Sequence, residues 1–478
     1  MERKQTRFAF VYENLRRQIL SGQREYGSKL PSARQLCQLY GVGIRTIKTV
    51  LMRLREEGLI HTEERKRAVV VYRVPFREQK HTALQTIAGQ RDAILEIYRS
   101  MEALMPDLLT FSCQFTDIIN LDHYDDILRW ARRPNLTSNG WKIPARFFHD
   151  ILKSSGNPFF CDVHSALELH GETSFLTEYL TETGLFPQEK EKEEFNRILD
   201  AVRSGNTYAI QNSFRAHYHS IANSVACCMQ HLAVQYPQEP MDPHRYFSWN
   251  TSYGIHQHYQ RIARDLAERI NFGTYAYRSY LPSERALAEE YGVSVHTVRR
   301  ALSILNNLGF VKTQNGRGTQ VLTLDLSASI KNTNHSRLLL HLNALQFMAL
   351  IVRPIALSAF DGTRQSLQKA FSQPQGISLA DLTSHVVDNV PLYPLKVILQ
   401  KIDHIFYGGI YLYRRNSPFP DAPNELAVRI FSCLEKDDRQ GFAHLLFETY
   451  CGILTNLRNL LVDNGVPEAE RVITPNLW

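Results

Sequence analysis

The sequence predicts a mainly α-helical protein: two small domains of three helices and a β-hairpin, each followed by an all-α bundle. Three observations predict it. The chain repeats itself, since Leu30–Thr62 aligns without a gap on Leu281–Thr313 at a constant offset of 251, with 13 of 33 positions identical. Gly22 and Tyr26 fall on Gly273 and Tyr277 at the same offset. Self-similarity on this scale marks a repeated structural unit. Apolar residues in the long segments, such as Ala93–Leu109 and Phe195–Leu232, recur every three to four positions, the helical period. Charge also alternates in blocks, with +9 over residues 1–75, −6 over 76–250, +3 over 251–325 and +1 over 326–478, beneath a total of only +7. Such asymmetry points towards a nucleic-acid partner for the basic blocks.

The elements of the small domain follow in order. Val11, Leu15, Ile19 and Leu20 form a helical stripe over Phe10–Ser21 that stops at Gly22. A second short helix opens at Pro31-Ser32, with Ser32 as N-cap and Gln35 as its capping-box partner. Tyr40-Gly41-Val42 makes a tight turn, and a third helix runs from about Gly43 to Glu57, burying Ile47, Val50, Leu51 and Leu54 before Gly58 closes it. Leu59–Thr62 and Ala68–Val74 read as strands around the basic turn Arg65-Lys66-Arg67. Three helices and a hairpin make a winged helix-turn-helix, whose third helix enters the DNA major groove N-terminus first.

The pattern LPSxRxLxxxYGV…T[IV][KR]xxLxxLxxxG[LF][IV]xT resembles the DNA-binding domain of the GntR family of bacterial transcription regulators, over about 70 residues in each copy. The resemblance implies roles residue by residue. Arg34 and Arg285 match the second-helix arginine that contacts DNA, and Thr46, Lys48, Thr297 and Arg299 match recognition-helix positions. Ser294 matches the capping serine, and Arg317, Gly318 and Thr319 match the family's glycine-bearing wing. Arg and Lys suit guanine edges or phosphates, and Thr suits phosphates or thymine methyls. Two departures stand out. The arginine expected after the capping serine is replaced by Ile44 and Val295, with Arg45 and His296 one residue later. In the first wing Arg65 and Arg67 stand where glycines are expected, and with Lys66 between them the three adjacent cations favour phosphate contact.

The long segments are related more weakly, Ile198–Gly205 setting against Ile430–Asp437 at an offset of 232. Segments around Arg146–Pro158, ILDAVRSGN and Arg215–Tyr218 resemble the all-α FCD effector domain of one GntR subgroup. That resemblance implies a small carboxylate or acyl effector and, in many members, a divalent metal held by one Asp and three His. His149 and His217 match two of those positions in the first copy, where Ala145 and Phe195 replace the others. Asp381 and His385 match two in the second, where Ala427 and Thr449 replace the rest. Two ligands fall short of the three or four a stable site needs, so no metal cofactor is expected, with a divalent ion on the incomplete ligand set, acting as a metal-responsive switch, left open.

The domain organisation expected is 1–75, winged; 81–235, helical; 236–254, a Pro-rich linker; 255–325, winged; and 333–478, helical. Seven scattered cysteines without CxxC spacing and a charged N-terminus suggest a reduced, cytoplasmic protein. The most apolar stretch, Leu342–Phe360, is interrupted by Arg353 and Pro354, so no membrane span is expected. Catalytic fingerprints such as a P-loop, HExxH or nucleophile elbow are missing, which speaks against an enzyme. The expected partner is double-stranded DNA, bound by a single-chain pseudo-dimer on an asymmetric operator, with dimerisation of the tandem chain left open. The rival expectation is an architectural DNA-binding protein of low sequence preference.

Overall fold

Three hydrophobic cores organise the chain in the computed structural model. The structure describes most of residues 26–72, 84–132, 142–171, 188–237, 258–322, 335–371, 377–414 and 422–476, with shorter stretches within 8–19 and 176–185 and at 246–249.

The first small core gathers Val11, Leu15 and Ile19 beneath α1 (Ala33–Tyr40), α2 (Ile44–Glu56), β1 (Ile60–His61) and β2 (Val69–Val70). The described residues of the expected first helix are helical, and its apolar stripe faces inward. Ser32 and Gln35 form the expected capping box: the Gln35 amide donates to Ser32 Oγ (3.2 Å), and the Ser32 amide donates to Gln35 Oε1 (2.9 Å).

The helical elements that follow are α3 (Arg91–Cys113), α4 (Tyr124–Arg132), α5 (Lys142–Ser154), α6 (Pro158–His170), α7 (Gln188–Ser204) and α8 (Thr207–Gln235). The second winged domain then repeats the first with α9 (His258–Asn271), α10 (Glu284–Tyr291), α11 (Val295–Asn307), β3 (Val311–Gln314) and β4 (Gly318–Val321). Both ends of α10 and α11 fall 251 positions after those of α1 and α2. The chain closes with α12 (His335–Ala370), α13 (Leu379–Asp388), α14 (Tyr393–Arg414), α15 (Ala422–Glu435) and α16 (Arg439–Asp463).

The two helical segments do not keep separate cores. One continuous cluster runs from Leu84 to Val472 and includes buried residues of both. Along the seam α3 packs on α12, α6 packs on α12, and α14 packs on α3. The polar contacts are reciprocal. Asn157, the N-cap of α6, donates through Nδ2 to the Asn343 carbonyl (2.9 Å) and to Gln346 Oε1 (2.8 Å) on α12. Tyr393, at the start of α14, donates its backbone N–H to Glu96 Oε2 (3.0 Å) on α3. Gln346 is 1% exposed, and its Nε2 donates to the Ile473 carbonyl (2.8 Å), so its amide oxygen and nitrogen are both satisfied within the core.

Two sequence expectations meet a more ordered reality. Helix α12 continues through Arg353 and Pro354, and it is long and apolar enough to cross a membrane by length and composition alone. Its apolarity has a simpler cause: it is the central helix of the shared core, packed by α3, α13, α14 and α16 on different sides. Residues 236–254 read as a linker on composition, yet Tyr246, Phe247 and Trp249 are buried in that core. Phe247 lies 5.0 Å from the His170 ring, and Trp249 lies 6.4 Å from Phe159.

Candidate nucleic-acid interface

Each recognition helix buries one face and leaves the other to solvent. On α2, Ile47, Val50 and Leu54 are buried, whereas Arg45 and Lys48 are exposed and Thr46 is half-buried. On α11, Val298, Ala301, Leu302 and Leu305 are buried, whereas His296 and Arg299 are exposed and Thr297 is half-buried. Arg34 and Arg285 are exposed on the neighbouring helices. The cations named on each winged domain are therefore all open to solvent.

The two surfaces differ in detail. Ser294 Oγ accepts the Thr297 backbone N–H (3.2 Å), capping α11. Its counterpart on α2 is Gly43, which supplies no side-chain cap. Ile44, standing where an arginine was expected, is 47% exposed at the leading end of α2, an apolar probe suited to a thymine methyl. Arg299 donates through Nε to Glu284 Oε2 (2.7 Å) on α10, and Arg285 Nε lies 3.5 Å from Glu289 Oε1. Ala33 replaces Glu284 in the first domain, so Lys48 has no such carboxylate at that position. Glu284 was missed by sequence reasoning, and the repeat alignment was the signal that could have found it.

The wings differ more. In the second, Val311–Gln314 pairs with Gly318–Val321 over four residues, turning through Gly316 and Gly318 at positive φ. Arg317 is exposed, but Thr319 faces inward at 5% exposure with its hydroxyl 3.1 Å from that of Thr313. This corrects its place among the DNA-facing residues, because strand alternation sends every second side chain to the core. In the first wing pairing stops after two residues on each strand. Arg67 stands where Gly318 has φ of +99°, a conformation unfavourable for a side chain. Lys66 and Arg67 are exposed at the wing, and Arg65 lies outside the described residues.

Residues 8–70 and 258–321 both match the family described as "Bacterial regulatory proteins, gntR family". Two segments of the chain, each folded as a winged helix-turn-helix, match that family. The Exu regulon transcriptional regulator of Escherichia coli K12 is 42% identical over 65 residues, which cover 14% of this chain and 25% of that protein. TreR of Bacillus subtilis, an HTH-type transcriptional regulator, is 39% identical over 61 residues, covering 13% and 26%. The chain thus spans about a quarter of the length of the relatives it matches. Among solved structures, Streptococcus agalactiae GntR aligns over 45% of this chain and 99% of its own, at 14% identity and a TM-score of 0.23.

Beyond the gntR-family domains, the residues singled out for an effector or metal do not assemble a metal centre. His217 is buried, and its Nδ1 lies 3.0 Å from Glu194 Oε2. Phe195, in place of the expected histidine, sits edge-on to the His217 ring at 4.9 Å, stacks on Phe148 at 5.2 Å and meets Trp130 at 5.2 Å. Aromatic rings fill the space that ligands would need. His149 is half-buried, and burial followed by the neighbouring His164 lowers its pKa. In the second copy His385 Nδ1 lies 2.9 Å from Ser366 Oγ, Asp381 is half-buried one turn earlier, and Thr449 bonds its own helix through the Leu445 carbonyl. Among the described residues no group of three or more His, Cys, Asp or Glu is placed to hold a metal ion. Sequence reasoning missed a buried polar set in the first helical unit. Burial pushes Glu191 up to about 7, helped by nearby Glu194, and lowers His164 to about 4.

Proposed function

We propose that this chain is a sequence-specific DNA-binding transcription regulator of the bacterial GntR type, acting as a pseudo-dimer within one polypeptide. The observation that carries this reading is the presence of two gntR-family winged domains in one chain, with basic recognition helices exposed at matching positions. The helical segments resemble the FCD domain in order and helical content, and their shared core supports the pseudo-dimer: it supplies the pairing that a homodimer would obtain from a second subunit. Tethering raises the effective concentration of the second reader, so both half-sites are held without assembly of two chains. Unequal recognition residues, Ile44, Arg45 and Lys48 against Val295, His296 and Arg299, favour an asymmetric operator. The filled position around Phe195 favours a first helical unit that works without metal, and any organic-acid effector would bind elsewhere.

Selection of bound duplexes from a random pool, followed by competition at fixed salt, tests this. The expected result is an asymmetric site bound at least ~10³-fold more tightly than random DNA. Alanine at Arg34 and Lys48, or separately at Arg285 and Arg299, should each remove most of the affinity. A specific-to-random ratio near one supports the architectural reading instead. A strict inverted repeat, or loss of binding only when both domains are altered, overturns the asymmetric pseudo-dimer.

A further inference from the structure

The first wing carries a cavity at a place where the two copies differ at two positions. In the second domain Tyr280 pairs with Gln320 of β4 by an isolated bridge, and its ring carbon Cδ1 lies 3.5 Å from where a Cβ on Gly318 would stand. The ring therefore covers the glycine. In the first domain Lys29 makes the equivalent bridge to Val69 of β2, and Arg67 replaces the glycine. A flat ring over a bare backbone has become two long cations. Between them opens a cavity of about 310 Å3 lined by Lys29, His61, Glu63, Lys66, Arg67 and Val69. Among the described residues that line it Glu63 is the one carboxylate, 2.6 Å from Lys66 Nζ and 3.7 Å from His61 Nε2. The second domain has Gln314 at that position, so the carboxylate occurs only where the cations have gathered.

We propose that this cavity is a phosphate-binding site, in which Glu63 occupies the place of the phosphate and is displaced when the ligand enters. Three side-chain cations and an imidazole around one open hollow offer the positive charge and hydrogen-bond donors that suit a tetrahedral oxyanion better than a neutral ligand. The Glu63–Lys66 pair is solvent-exposed, and exposed pairs are weak, so exchanging the carboxylate for a doubly coordinating phosphate meets little resistance. The phosphate is either a DNA backbone phosphodiester or a free phosphate, and the first source rests on the DNA-binding reading above.

The test uses the full chain, with duplex DNA and inorganic phosphate as separate probes. Glu63→Gln and the double variant Lys29→Tyr/Arg67→Gly both install residues that the second wing already accommodates. If the source is DNA, Glu63→Gln tightens binding several-fold at low salt. The double variant then weakens specific and random duplexes alike and reduces the log–log salt slope by about 1–2. If the source is free phosphate, inorganic phosphate titrated at constant ionic strength shifts the His61 ring resonances. Glu63→Gln strengthens that response, the double variant abolishes it, and the DNA salt slope stays unchanged. Should neither variant move either readout while Arg34→Ala and Arg285→Ala still weaken DNA binding, the phosphate site is overturned and the DNA reading survives. Should the chain bind no DNA yet respond to phosphate through these variants, the DNA reading fails and the site stands.

Discussion

At the scale of single residues, the copies give each position its own internal control. Gly27 adopts φ of +81°, and its counterpart Arg278 is held at +65° with its guanidinium 5.1 Å from the Tyr277 ring. Left-handed backbone costs a non-glycine residue roughly 1–2 kcal/mol. Gly27→Ala is therefore expected to destabilise the first winged domain by about 1 kcal/mol, read by denaturant unfolding, because part of the strain is offset by lower unfolded-state entropy. Arg278→Gly should be close to neutral or stabilising. Glu284 makes a different kind of test. Released from its 2.7 Å bond, Arg299 would gain freedom and one unit of uncompensated positive charge. Glu284→Ala should raise affinity for random DNA and lower the specific-to-random ratio by several-fold, measured by competition binding. Glu191 tests burial. Its folded pKa of about 7 lies above the ordinary 4.5, so the folded state favours the protonated form. Stability should fall as pH rises from 4.5 to 7 and level off above. Glu191→Gln should add on the order of 2–3 kcal/mol at pH 8 and little at pH 4.5.

At the scale of elements, the sequence was legible wherever a local rule decided the outcome. The helices α1 and α2, their caps and the hairpin follow from apolar spacing, Ser32 and Gln35, and glycine placement. The lost cap at Gly43 was readable from the alignment too, and it has a measurable cost: Ser294→Ala should destabilise the second domain by about 1 kcal/mol, and Gly43→Ser should stabilise the first by a few tenths. What composition concealed was long-range. Tyr246, Phe247 and Trp249 lie in a stretch rich in proline and polar residues, and only their packing partners, His170 and Phe159 among them, give them a core role. Thr319 was misjudged because a wing residue matched to a motif still obeys strand alternation. Phe195 was recognised as an absent ligand, but its positive role at the centre of an aromatic cluster depends on α4, α5 and α8 converging on it. Phe195→Ala should cost about 3–5 kcal/mol, measured by thermal or denaturant unfolding of the full chain.

At the scale of the whole molecule, the sequence indicated two copies, while the fusion of their helical units required three-dimensional contacts. The buried bonds of Asn157 to Asn343 and Gln346 join residues that no periodicity relates. A protease site introduced between Trp249 and His258 should leave the two fragments associated on size-exclusion chromatography, because the seam is part of one core. Separation into two species would contradict that. The same seam has an evolutionary consequence. In a homodimer with two-fold symmetry, one mutation alters both ends of the interface, so every surface must remain compatible with itself. Covalent fusion removes that constraint. Here one end of the seam uses an asparagine cap and a glutamine, and the other uses a glutamate and a backbone amide. Each end is free to drift independently, and, on the pseudo-dimer reading proposed above, the same freedom extends to the two winged domains, whose third helices already differ at Ile44 and Val295 and at Arg45 and His296.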